Sequence, residues 1–173
     1  YNEGVGNWGG GIYIGGADAI IEYVTITENS GRYWGGLGVL GSYITGSDPL
    51  RLFPYETKLD HVTITDNSDA SSSNGSTVGG LYAVYYGKLI ISNSIINENI
   101  TYSSQIGGGI GCIDSNLEIT NTLINGNITN SEGSEPQGGG IFSFGCTSTL
   151  TNVTISNNSI GQNGIGGAIY MMS

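Results

Sequence analysis

The chain has 173 residues, with 14 acidic and 4 basic side chains and a formal net charge of −10. Nucleic-acid binding is not expected, because neutralising phosphates requires a basic stripe that this composition does not supply. Binding to an anionic membrane surface is disfavoured for the same reason, and no apolar run approaches the length of a transmembrane helix. The acidic, Lys-poor composition is typical of an extracellular protein that charge keeps soluble.

A repeated unit organises the chain: a Gly-Gly pair is followed, 20 positions after its first glycine, by an asparagine. Four copies have this spacing: Gly9 to Asn29, Gly79 to Asn99, Gly107 to Asn127 and Gly138 to Asn158. The copy from Gly35 to Asn67 has an interval of 32 and therefore 12 extra residues, which we place within 39–58. A last copy begins at Gly166. Self-similarity with a period of about 30 residues predicts a stacked solenoid with coils starting near 9, 35, 79, 107, 138 and 166.

Aligned from the Gly-Gly pair, two columns contain the same residue in every full copy. They are Ile26, Ile64, Ile96, Ile124 and Ile155, and Asn29, Asn67, Asn99, Asn127 and Asn158. The surrounding segments are short and rich in β-branched residues, with apolar side chains at alternate positions, so they are predicted to be strands. Stacked coils turn each column into a ladder, in which one asparagine amide can bond to the next. Asn2 fits the asparagine position of a preceding coil.

The Gly-Gly-x-Ile start and the Ile-x-x-Asn end of each unit resemble the repeat of polymorphic outer-membrane proteins. More broadly, they resemble right-handed parallel β-helix repeats of bacterial surface proteins. The resemblance covers essentially the whole chain and implies three short parallel strands per coil and a secreted or surface-displayed setting. The chain departs from the family in one column, where Ile26 and its four equivalents stand in place of the usual aromatic residue.

We therefore expect an all-β fold, a right-handed single-stranded parallel β-helix of about five coils that forms one domain over residues 1–173. Because both ends of the sequence fall inside a repeat unit, we expect a slice of a longer solenoid. Open strand edges at the ends of such a slice are also templates for stacking copies end to end.

Two cysteines, Cys112 and Cys146, fall in neighbouring coils, in columns that differ by three positions. A turn near Asp114 and Ser115 could bring their Cα atoms within the roughly 5.5–6 Å that suits a disulfide. The alternative is a pair of small buried thiols.

Carboxylates of three coils share the column just before the ladder asparagines: Glu28, Asp66 and Glu98. A row of this kind is either solvated or a weak candidate for Ca²⁺, which needs six to eight oxygen ligands. Gly126 and Asn157 interrupt the column, and the calcium-binding nonapeptide repeat is missing. No cofactor is expected.

The only histidine and the insertion are the two places where the sequence offers candidate catalytic residues. His61 occupies a column that holds Asn93, Asn121 and Asn152 in other coils, which favours a structural role, and no nucleophile is placed beside it. A glycosidase would need two carboxylates at a defined separation. Asp48, Arg51, Glu56 and Asp60 lie in or near the insertion, which is the best location for any such site.

Parallel β-helices include adhesins, polysaccharide lyases and hydrolases, and phage tailspikes, so the fold does not select a function. We expect a non-catalytic structural or adhesive segment of an extracellular or cell-surface protein, with glycans or other surface proteins as partners. The alternatives are a carbohydrate-active enzyme and a filament subunit that stacks end to end.

Overall fold

The computed structural model describes residues 2–4, 9–41, 55–69, 77–85, 87–102, 106–130 and 135–173, including the backbone but not the side chains of 3 and 4. The described chain winds into a parallel β-solenoid, which confirms the predicted fold class. Its strands form four parallel sheets, two of six strands and two of five. Among the described residues there is no helix, and so none that could span a membrane.

The sheets are named A to D. Sheet A contains β1 (Asn2–Gly4), β5 (Asn29–Gly31), β9 (Ser68–Asp69), β13 (Ile100–Thr101), β17 (Ile128–Thr129) and β21 (Ser159–Ile160). Sheet B contains β2 (Ile12–Gly15), β6 (Leu37–Leu40), β10 (Leu81–Val84), β14 (Ile110–Ile113), β18 (Ile141–Phe144) and β22 (Ile169–Met172). Sheet C contains β3 (Ala19–Glu22), β7 (Glu56–Asp60), β11 (Lys88–Ser92), β15 (Asn116–Thr120) and β19 (Thr147–Thr151). Sheet D contains β4 (Thr25–Thr27), β8 (Thr63–Thr65), β12 (Ile95–Asn97), β16 (Leu123–Asn125) and β20 (Thr154–Ser156).

Each winding therefore has four strands, and the expectation of three is wrong. The extra corner comes from a residue with positive φ between sheets D and A, such as Glu28 (φ 55°) or Gly126 (φ 66°). A similar bend separates sheets C and D, where Tyr23 has φ 55° and His61 has φ 52°. Left-handed backbone at these positions breaks the strands without lengthening the winding.

The repeat register also differs from the one predicted. Sheet B pairs Ile12 with Leu37 and Leu81 with Ile110, so the glycines two positions earlier are equivalent: Gly10, Gly35, Gly79 and Gly108. The constant interval of 20 arises in two ways. The units that begin at Gly9, Gly107 and Gly138 have a third glycine. The unit that begins at Gly79 has only two glycines, but one more residue separates its strands of sheets B and C. Three positions, 85–87, lie between β10 and β11, whereas two positions, 114–115, lie between β14 and β15 of the next winding.

This register settles which side of sheet B is buried. Ile12 and Ile14 share columns with Leu37 and Val39. Leu37 and Val39 are buried in the central core between the sheets, and Ile12 and Ile14 are partly buried against it. If the first glycine of every unit is aligned instead, Ile12 and Leu37 fall on opposite faces of the strand. The invariant isoleucines do stack directly, with Ile96 paired to Ile64 on one side and Ile124 on the other.

A second apolar cluster lies on the outer face of sheet B, where the linkers between windings cover it. Trp34 and Val78, both from linkers, are 1% and 0% exposed and pack with Tyr82 and Phe142. Gly38 makes room for the indole, because a Cβ there would lie 2.1 Å from Cε2 of Trp34. These linker residues are therefore part of the packed structure.

A disulfide joins Cys112 on β14 to Cys146, which lies between β18 and β19 of the next winding, with 6.4 Å between the Cα atoms. Cys112 is paired in register with Ser143, three residues before Cys146. The chain turns between β18 and β19, at the corner that leads into sheet C, and this turn brings Cys146 back to Cys112. In the chain-entropy model, closing this loop of 34 residues stabilises the fold by about 4 kcal/mol.

Candidate functional site on the outer face of sheet C

The predicted asparagine ladder is confirmed, and Asn29, Asn67, Asn99 and Asn127 are buried in it. Asn99 and Asn127 are 0% exposed. Oδ1 of Asn127 accepts hydrogen bonds from the backbone N–H and from Nδ2 of Asn99, at 3.1 and 2.9 Å. Its Nδ2 donates to Oδ1 of Asn158 and to the carbonyl of Ile96, both at 2.9 Å. Asn2 joins the same ladder through a 2.8 Å bond to Asn29. Both hydrogens and both lone pairs of the Asn127 amide are used, so the ladder is structural.

The richest group of exposed polar side chains lies on the outer face of sheet C. Alternation along β11 buries Leu89 and Ile91 and turns Lys88 and Ser92 outward. The register then stacks outward residues of successive windings in columns. One column is Glu56, Lys88 and Asn116; another is Ile20, Lys58, Ile90 and Glu118; a third is Glu22, Asp60, Ser92 and Thr120.

Charges on this face pair with one another. Lys58 Nζ lies 2.7 Å from one carboxylate oxygen of Glu56, and Lys88 Nζ lies 3.6 Å from the other. Lys88 also lies 3.0 Å from Glu118. The hydrogen bond from Lys58 lowers the pKa of Glu56, and the bond to Glu118 raises the pKa of Lys88. These exposed pairs fix side-chain positions and stabilise the fold only weakly.

A cavity of about 370 Å³ opens at the edge of the same face, lined by Asp18, Ala19, Ile20, Glu56 and Lys58. Asp18 Oδ1 accepts a 2.8 Å hydrogen bond from the backbone N–H of Glu56, which holds the carboxylate at the start of β7. Ile20 is 70% exposed. The cavity therefore combines two carboxylates, an ammonium group and an exposed aliphatic side chain.

His61 and Asp60 form the second cluster on this face. Asp60 Oδ2 lies 2.8 Å from His61 Nδ1, while its Oδ1 accepts bonds from Ser92 Oγ at 2.6 Å and Asn93 Nδ2 at 2.8 Å. The Ser92 bond, followed by those of His61 and Asn93, lowers the pKa of Asp60 to about 2. The imidazole stacks on Tyr23 with 4.9 Å between ring centroids.

This arrangement is not that of a serine hydrolase. A catalytic serine would hydrogen-bond the imidazole nitrogen that faces away from the carboxylate. Ser92 instead donates to the carboxylate of Asp60. His61 occupies the column of Asn93, Asn121 and Asn152, as the sequence predicted, and it shares their positive φ.

The other predicted site residues are only partly brought together. Asp48 and Arg51 lie outside the described residues, whereas Glu56 and Asp60 lie at opposite ends of β7. Glu28, Asp66 and Glu98 are exposed and follow one column at the corner between sheets D and A. Across the described ranges, no group of three or more His, Cys, Asp or Glu side chains is arranged to hold a metal ion.

Asp18, Ile20 and Tyr23 were missed by the sequence analysis. Ile20 points outward and the neighbouring, partly buried Ile21 points inward. The repeat alignment, which places Ile21 in a column of Leu and Ile residues, would have identified Ile20 as outward-facing. Asp18 joins the cavity through a bond to a residue 38 positions away, and no local signal marks it.

Comparison of the chain with protein-family models, with curated proteins and with solved structures finds no match. Evidence for a function therefore comes from the residues of this chain alone.

Proposed function

We propose that this chain is a non-catalytic segment of an extracellular or cell-surface protein, in which the solenoid is a rigid scaffold and the outer face of sheet C recognises a neutral saccharide. The cavity lined by Asp18, Ile20, Glu56 and Lys58 carries this proposal. Sugar hydroxyls need both donors and acceptors at one place, and the ammonium and carboxylate groups supply them. Tyr23, 76% exposed and three residues after Ile20, adds aromatic surface on which a sugar ring can pack.

The charge of this face selects against acidic ligands. Both lysines are already engaged by Glu56 and Glu118. The face carries further negative charge that these ion pairs do not neutralise, on Asp18, Glu22 and Asp60. A polyuronate would be repelled, which argues against the lyase alternative. A neutral saccharide or a polar protein surface meets no such repulsion.

The carbohydrate-active alternative is weaker because the potential acid–base groups bond to one another. Asp60 is engaged by three hydrogen-bond partners, and its lowered pKa keeps it deprotonated at neutral pH. A general acid for glycoside cleavage instead needs a raised pKa.

A glycan array followed by calorimetric titration with neutral oligosaccharides tests the proposal. We expect binding without turnover. Lys58→Ser, which removes the ammonium from the cavity, and Tyr23→Asn should each weaken binding by about tenfold, equivalent to about 1.4 kcal/mol. Asparagine is the natural occupant of the Tyr23 column in other windings, so this change suits the backbone.

Tyr102→Ser is the matched control, because Tyr102 is a 45% exposed tyrosine that follows β13 of sheet A. It should leave binding unchanged. Equal affinities for all variants would refute the assignment of saccharide binding to the outer face of sheet C. Release of cleaved sugar would show that the chain is an enzyme and would refute non-catalytic recognition.

A further inference from the structure

The chain contains five Asn-x-Ser/Thr sequences of the kind that accept N-linked glycans, and the structure separates them by burial. They begin at Asn74, Asn99, Asn127, Asn152 and Asn157. Asn74 lies outside the described residues. The other four divide into two buried and two exposed asparagines, which have opposite consequences for modification.

Asn99 and Asn127 are the buried pair, each 0% exposed. An N-linked glycan is attached to Nδ2 and replaces one of its two hydrogens. In Asn99 these hydrogens bond to the carbonyl of Ile64 and to Oδ1 of Asn127, both at 2.9 Å. A glycan at either residue would break the ladder and place a sugar inside the winding, so modification and folding exclude each other here.

Asn152 and Asn157 are exposed, and they lie at corners where φ is positive. Nδ2 of Asn152 donates to Asn121 at 2.7 Å, and Nδ2 of Asn157 donates to Asn125 at 2.9 Å. All four residues of these two bonds are at the surface or half-buried. A glycan at either corner projects into solvent and leaves the core intact.

The disulfide adds an independent constraint on where the chain matures. Cys112 is 0% exposed and bonded to Cys146. Disulfides of this kind form and persist in oxidising compartments and are rare in the cytosol. N-linked glycans are not attached in the cytosol either. Burial of Asn99 and Asn127 is therefore compatible with the cytosol, and it is the disulfide that argues for an oxidising compartment.

We infer that this chain matures in a compartment that oxidises thiols but does not attach N-linked glycans, such as a bacterial periplasm or cell exterior. The inference deepens the extracellular setting of the proposed function and rests on it. It narrows that setting to export routes that leave Asn99 and Asn127 unmodified.

The test is to export the same chain through the bacterial periplasm and through the secretory pathway of glycosylating eukaryotic cells, with and without tunicamycin. We expect folded, disulfide-bonded protein from the periplasm. In eukaryotic cells we expect glycans on Asn99 and Asn127 by peptide mapping, retention of the chain inside the cell, and at least tenfold more secretion after tunicamycin.

Sequence variants give the same test without the drug. Thr101→Val combined with Thr129→Val removes both buried acceptor sequences and should restore secretion. Thr154→Val removes only the exposed acceptor sequence at Asn152 and should not. Thr101 Oγ1 accepts a bond from the N–H of Gly79 and donates to Gly107, so folding of the double variant is first verified on periplasmic material.

Secretion of folded protein from untreated eukaryotic cells would overturn the inference, whether Asn99 and Asn127 carry glycans or not. Retention that tunicamycin fails to relieve would overturn it as well. Saccharide binding is measured on the periplasmic protein, so the inference and the recognition proposal can fail separately.

Discussion

Two ladders of side-chain amides run along this rod, and they differ in burial and in direction. The buried ladder passes from Asn29 to Asn158, and each Nδ2 donates toward the following winding. The exposed ladder runs along the corner between sheets C and D. There Asn152 donates to Asn121 and Asn121 to Asn93, toward the preceding winding, and the run ends on the carboxylate of Asp60.

The hydrogen bonds are of similar length in both ladders, so geometry does not decide what each ladder contributes. A buried amide that loses its partner cannot bond to water, whereas an exposed one can. We conclude that the buried ladder holds the windings in register. The exposed asparagines are selected mainly because their positive φ suits asparagine.

The largest effect is expected for Asn127→Ala. It removes the acceptor of the backbone N–H and of one Nδ2 hydrogen of Asn99, and the side-chain donor to the carbonyl of Ile96. Oδ1 of Asn158 loses one of its two donors and keeps the backbone N–H of residue 127. We expect a loss of about 3 kcal/mol in the free energy of unfolding, measured by urea denaturation. Asn130→Ala is the control, because Asn130 is exposed and directly follows β17, and it should change stability by less than about 0.5 kcal/mol. Equal losses would contradict a structural role for the buried ladder.

Asn121→Ala in the exposed ladder should cost about 1–2 kcal/mol, and most of this loss should come from the backbone. Asn121 has φ 50°, a conformation that alanine adopts only with strain. Urea denaturation measures the change. A loss as large as that of Asn127→Ala would mean that exposure does not weaken these bonds.

Asn121→Gly separates the backbone from the amide. Glycine adopts positive φ without a steric cost, so only the bonds to Asn93 and Asn152 are lost. We expect the melting temperature to fall by no more than the equivalent of about 0.5 kcal/mol. If Asn121→Gly and Asn121→Ala are equally destabilised, the amide hydrogen bonds, and not the positive φ, are the reason that asparagine occupies this column.

The smallest effect on stability is expected at the end of the exposed ladder, because the side chain of Asp60 is 30% exposed and solvent screens its interactions. The pKa of Asp60 is lowered from 3.8 to about 2 by its hydrogen bonds. A carboxyl with a lowered pKa stabilises the folded state above its unfolded pKa, and this contribution is lost as the pH falls toward about 2. Asp60→Asn should therefore show a shallower fall in melting temperature between about pH 4 and pH 2. Parallel calorimetric curves for the two proteins would show that Asp60 is not the group responsible.

The candidate site could be predicted only in part from the sequence. Glu56, Asp60 and His61 were identified because they lie near an insertion or are chemically conspicuous. Their partners were not, because Ser92 and Asn93 reach Asp60 from the next winding and Asp18 reaches Glu56 from the preceding one. Such contacts depend on which outward residues share a column, and a one-residue shift of register exchanges the two faces of a strand.

The sequence by itself determined the parallel solenoid and both invariant columns, because a residue repeated once per winding meets its own equivalent in the stack. Only the tertiary structure decided the four-strand winding, the register of sheet B and the cover over its outer face. Those features depend on corners with positive φ, on a third glycine that compensates for a shorter corner, and on Trp34 filling the space above Gly38. The corners with positive φ recur one and six positions before each ladder asparagine, but residues as different as Tyr23, Glu28 and Gly126 occupy them, so residue type does not reveal the backbone angle. The third glycine and Trp34 do not recur in every winding, because each is a local solution found by one winding against its neighbour.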